Sequence, residues 1–195
     1  MEHTHEERIG NYVIRIYPDT SPESPRNWDN IGTMVCFHKR YDLGDENDYC
    51  SSNYDSWEEM KGDIIEKENV HTILPLYLYD HSGITMSTSS FSCPWDSGQV
   101  GWIFVSKDKV RKESLDETKI EQYLIDEVKT YDQYLTGDVY GYRISKVTPC
   151  ELGHEHEEEL DSCWGFYGEE ECISEAKGIV EYYTNMPEEI GRAHV

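Results

Sequence analysis

Charge falls along this chain in blocks, and the blocks limit the possible folds more than any other feature. Between residues 70 and 106 only Asp80 and Asp96 carry a formal charge. On one side of that stretch, residues 41–60 hold seven acids and no Lys or Arg. On the other, residues 151–176 hold ten acids and again no Lys or Arg. An unpaired carboxylate is costly to bury. The neutral middle is therefore expected to supply the core, and the acidic flanks the surface.

Residues 12–17 read as a strand ended by Pro18, and 31–38 as a second. Further strand signals fall at 71–79, 84–88, 100–105, 139–147 and 160–167, with Pro75 marking an edge or a bulge. Residues 19–30, with Pro22 and Pro25, read as an ordered loop. Asp55 or Ser56 can cap a helix through Glu68. Ile120, Leu124, Val128, Tyr131 and Leu135 recur at helical spacing, and Gly137 suits the end of that helix. Ile173, Ala176, Val180 and Tyr183 mark a last one. Strands arrive in runs, so the expectation is a single α+β domain over residues 12–184. It would hold a mostly antiparallel sheet of about five to seven strands and two or three helices. Residues 1–11 are expected to be a flexible N-terminus and 185–195 a tail.

The chain of 195 residues has 40 Asp+Glu against 17 Lys+Arg, a net charge of −23. Aromatic residues make up 12%, too many for a disordered acidic chain. No apolar run reaches the ~18 residues of a membrane span, and MEHTHEER has no signal-peptide character. A cytoplasmic protein is expected. Direct binding to nucleic acid or an anionic membrane is disfavoured, because the field has the wrong sign. The six cysteines form no CxxC pair and are expected to be free thiols, with Cys36, Cys93 and Cys163 as small core residues.

Several groups of residues could carry chemistry. His81, Cys93 and Asp96, with Asp80 nearby, are the residue types of a thiol nucleophile, base and orienting carboxylate; Cys36 and His38 add a second pair. The competing expectation is a tight turn at 80–83. Cys150, His154, His156 and Cys163 are four potential zinc donors, but their spacing matches no common module, and no metal or cofactor is expected. There is no P-loop and no GxGxxG. Tyr77, Tyr79, Trp95 and Trp102 could form an aromatic pocket for a base, or simply be core.

The charge itself is the remaining candidate. A folded chain of this length is about 42 Å across, and duplex DNA of that length carries about 25 phosphates. A net charge of −23 is comparable, which is the condition for mimicking DNA in a basic groove.

Four stretches carry a family resemblance: NWDNIGTMVCFHKRYDLGD (27–45), LPLYLYDHSGITMSTSSFSCPWDSGQVGWIFVSKDKVRKE (74–113), YDQYLTGDVYGYRI (131–144) and DSCWGFYG (161–168). Together they resemble small accessory proteins carried by bacteriophages, prophages and plasmids. The resemblance implies a setting, not a reaction, and no catalytic residue carries over. In that setting an acidic chain is expected to inhibit a host defence nuclease of the CRISPR or restriction type by occupying its basic nucleic-acid cleft. The residues expected to make the contact are Asp45, Glu46, Asp48, Glu58, Glu59, Glu157, Glu158 and Glu159. The alternative is an enzyme, or a binder of a small molecule such as a nucleotide signal, built on the Asp80–His81 and Cys93–Asp96 loops.

Overall fold

The computed structural model describes residues 2–150 and 152–186. Two compact units divide the chain: Ser24–Thr136 forms one, and Met1–Glu23 with Gly137–Val195 forms the other. The α+β class with antiparallel pairing holds. The eight strands lie in two four-stranded sheets, one per unit.

The unit formed by both ends of the chain pairs β1 (His5–Ile9), β2 (Tyr12–Pro18), β7 (Val139–Pro149) and β8 (Glu155–Tyr167) in that order, with α4 (Glu169–Asn185) on one face. Alternation puts Ile14, Ile16, Tyr142 and Ile144 on the covered face, where they meet Cys172, Ala176 and Val180, one helical turn apart on α4. Two expectations change here. The N-terminal residues expected to be flexible form β1, turned into β2 by Gly10 at φ +60°. The acidic stretch before residue 160 is the first part of β8: it pairs with β7, and Arg15 of β2 and Arg8 of β1, beyond β7 in the sheet, reach its glutamates. The expected tail lies, from residue 187 onward, outside the described residues.

The central unit orders β3 (Thr33–Cys36), β6 (Ser97–Ser106), β4 (Val70–Asp80) and β5 (Ile84–Ser87). Strand β6 is buried on both faces. Its Trp102 and Phe104 pack on Met60 and Ile64 of α1 (Trp57–Lys67). Its Ile103 and Val105 pack with Ile120, Leu124, Val128 and Tyr131 of α3 (Ile120–Thr136). Each fully buried aliphatic side chain contributes about 2 kcal/mol. Ser56 caps α1 by accepting from the Glu59 N–H, and Gly137 at φ +75° follows the last turn of α3. Pro75 is tolerated because β5 pairs only with the far end of β4, at Tyr77–Asp80, leaving the proline at a local edge. The short α2 (Lys107–Lys112) had no apolar period to announce it.

All six cysteines are free. Cys36 and Cys172 are the buried ones, and burial pushes each thiol up to about 12. Cys163, expected in the core, is exposed on β8.

Candidate functional site

Both units are net negative: 21 acids against 11 bases in the central unit and 19 against 6 in the other. The total charge therefore does not locate a site. What matters is which carboxylates have no cation beside them.

Four of the eight expected contact residues lie beside a base. Asp45 is half-buried and holds Arg26 with both oxygens, at 2.8 and 2.7 Å. It also accepts from the Met34 N–H at 2.8 Å. Arg26 is nearly inaccessible, donates to Gly32 O at 2.8 Å, and reaches Glu127 at 3.2 Å. Burial weighs most on this guanidinium and opposes its charge; Asp45 and Glu127 outweigh it and hold the pKa above its usual value. Glu157 pairs with both terminal nitrogens of Arg15, at 2.6 and 2.9 Å. Glu159 lies 3.8 Å from Arg143. Asp45 is thus an internal partner of Arg26, while Glu157 stays on the surface but spends its charge on Arg15: in an acidic chain the few arginines settle where several carboxylates converge.

Glu46, Asp48, Glu59 and Glu158 stay open. Asp42, Glu46, Asp48, Asp55, Glu58 and Glu59 are exposed, within one segment of 18 residues that has no base, although Lys61 just beyond it lies 3.9 Å from Glu58. Glu158 is exposed on β8. Glu59 also accepts from the Asp55 N–H at 2.7 Å at the start of α1, so it serves the helix as well.

The ion pairs on β8 and β1 give the end unit a pH dependence. Arg15 holds Glu157, Arg8 holds Glu155, and Lys177 with His5 holds Glu7, each below the ordinary glutamate value of 4.5. A depressed folded pKa adds stability above the unfolded value and loses it as pH falls through the folded one. The urea midpoint should hold between pH 7 and about 5 and decline below about 4.5. Glu157→Gln should flatten that decline. An equally steep decline in the variant would mean that Arg15 is not its source.

The second feature is a cleft of about 590 Å³ in the central unit. His38, Lys39 and Arg40, just beyond β3, form part of its lining; Asp80 at the end of β4 and the segment 95–100 line the rest. Asp80 accepts from Arg40 and lies 3.9 Å from His38 Nε2. His38 stacks on Tyr41, with ring centroids 5.0 Å apart. Trp95 is 92% exposed.

His81, Cys93 and Asp96 do come together. Asp96 Oδ2 lies 3.2 Å from His81 Nδ1 and accepts from Cys93 Sγ at 3.7 Å. The carboxylate stands between thiol and imidazole. In a thiol-nucleophile site the imidazole must touch the thiol to take its proton. The expected turn after Asp80 forms, with His81 N–H donating to Gly83 O and Ser82 at φ +59°, but the Asp80 and His81 side chains meet Arg40 and Asp96 rather than backbone. The aromatic pocket does not form: Trp102 is buried in the α1-facing cluster with Lys61 over its ring, while Trp95 is in solvent. Cys36 and His38 both line a second cavity of about 410 Å³, but burial pushes the Cys36 thiol up and so opposes the thiolate a nucleophile needs. His156 and Cys163 are seven residues apart along β8, about 23 Å, too far to share an ion.

Comparison with protein-family models, with curated proteins and with solved structures finds no match. Among the described residues no helix is long and apolar enough to cross a membrane.

Sequence reading missed Arg26, Glu127, Arg8 and Arg15 as partners. Their signal was scarcity: with so few bases among so many acids, an arginine readily meets more than one carboxylate. It also missed the role of Lys39 and Arg40, the only bases between Arg26 and Lys61.

Proposed function

We propose that this chain inhibits a nucleic-acid-targeting defence nuclease in the bacterial cytoplasm, by presenting carboxylates to the basic cleft that holds DNA or guide RNA. One observation carries the reading. Asp42, Glu46, Asp48 and Glu58 are exposed in a segment with no base of its own. Such a surface attracts a basic cleft and repels nucleic acid itself. The resemblance to accessory proteins of phages and plasmids supplies the setting. No thiol-to-imidazole contact supports a reaction at Cys93.

The test is retention of purified DNA-targeting nucleases on the immobilised chain. A partner should bind at low salt, leave at high salt and be displaced by duplex DNA, because salt screens such contacts. Reversing Asp42, Glu46, Asp48 and Glu58 to Lys should weaken binding at least about tenfold. Glu59 is left unchanged because it supports the start of α1. A retained nuclease that DNA cannot displace, or one that the reversed variant holds equally well, would defeat the reading.

A further inference from the structure

We propose that the cleft beside Trp95 binds a 5′-mononucleotide, its base stacked on the indole and its phosphate against His38, Lys39 and Arg40. This stands apart from the acidic face and does not depend on it.

The cationic wall comes first. Between Arg26, which is buried, and Lys61, the chain has two bases, and both line this cleft. His38 joins them. Asp80 fixes the wall by accepting from Arg40 and lying within 3.9 Å of His38. The Arg40 side chain is 65% exposed and spends one nitrogen on Asp80. Its remaining N–H donors are available to a phosphate, for which a guanidinium fork is well shaped.

The aromatic surface comes second. An indole that is 92% exposed at the rim of a cleft offers a full ring face. Stacking a base on such a face is worth roughly five- to hundredfold in affinity. Asp96, which also lines the cleft, gives His81 and Cys93 the same oxygen, Oδ2. Its other oxygen can accept from an amino group of the base or a ribose hydroxyl. A cleft of about 590 Å³ falls within the range of small-ligand sites.

The charge of −23 does not forbid this ligand. At physiological salt, charges are screened beyond about 8 Å, so the groups touching the phosphate decide. The charge does restrict size. A polynucleotide carries further phosphates outside the cleft, against a unit with 21 acids and 11 bases, whereas a mononucleotide carries only the one that the cleft holds.

Calorimetric titration with AMP, GMP, CMP and UMP, each separately, tests the site at about 0.15 M salt. At least one should bind saturably with one site per chain, and adenosine and inorganic phosphate should bind at least about tenfold more weakly. Trp95→Ala and Arg40→Ala should each lose about tenfold. Both side chains are exposed, and unchanged circular dichroism confirms that the variants fold. The acidic-face variant with Asp42, Glu46, Asp48 and Glu58 reversed should bind the nucleotide at least as well as the parent, which separates the two readings. The proposal is overturned if no mononucleotide gives saturable heat at about millimolar concentration. It is overturned equally if affinity survives in both single variants, or if a 5′-phosphorylated oligonucleotide binds as tightly as the mononucleotide.

Discussion

Replacing Arg26 with Ala should destabilise the central unit by about 3–5 kcal/mol. The size follows from what is left behind. Arg26 lies between Asp45 and Glu127, whose side chains keep only 22% and 15% of their exposure. Without the guanidinium, two shielded carboxylates face each other with no cation between them. Both also accept backbone N–H groups, of Met34 for Asp45 and of Ile31 and Gly32 for Glu127, so neither can swing into water cheaply. Arg26→Lys should recover part of the loss, since an ammonium keeps the charge but cannot span both carboxylates with a planar fork. Adding Asp45→Asn to Arg26→Ala should also recover part, because it removes one of the stranded charges. Urea unfolding followed by tryptophan fluorescence reads this unit well, since Trp28, Trp57, Trp95 and Trp102 belong to it and only Trp164 does not. A loss below about 1 kcal/mol would place the Arg26 cluster among exposed ion pairs, which contribute little.

The apolar periods were the legible part of the chain. Ile120 to Leu135 announced α3 and its covered face, and Ser56 and Gly137 announced helix ends, because spacing and capping are local properties. Strand β1 was hidden because its residues HEERI carry charges whose partners lie far along the chain, Arg8 with Glu155 of β8 and Glu7 with Lys177 of α4. Only Gly10-Asn11 between Ile9 and Tyr12 hinted at the hairpin. The partition into two units was hidden for a similar reason: β2 pairs with β7, more than 100 residues later. Composition located the acids but could not show which of them sit against a cation. That is why Asp45 and Asp48, three residues apart, end as an internal anchor and an open charge. The cleft was partly visible. His81, Cys93 and Asp96 do come together, but of the three only Asp96 lines the space, with His38, Arg40 and Trp95 brought in by β3 and the loop before β6.

Gly101→Ala should cost at least about 3 kcal/mol, while Gly98→Ala, three residues earlier on the same strand, should stay within about 0.5 kcal/mol. A Cβ at position 101 would lie 1.9 Å from Val35 O and 2.9 Å from Val35 C, whereas at position 98 nothing stands within 4 Å. The obstacle is backbone, which cannot rotate aside as a side chain can. Strand β3 must move, and it has little room. Val35 also bridges to Gly44, where an added Cβ would meet Met34 O at 2.7 Å. Gly44 is itself tied by its N–H to the Tyr131 hydroxyl at 3.1 Å. Strand β3 is therefore hemmed in by β6 on one side and by the 43–45 loop on the other. The variant must give up either the β3–β6 pairing or the packing of Met34 and Val35 in the two clusters they join. Urea midpoints of the two variants decide the matter, and equal midpoints would mean that the strands do not approach this closely. The loss should reach function too. His38, Lys39 and Arg40 follow β3 directly, so a displaced β3 carries the cationic wall of the cleft away from Trp95. Whatever Gly101→Ala protein remains folded should bind nucleotide less tightly than the unsubstituted chain does.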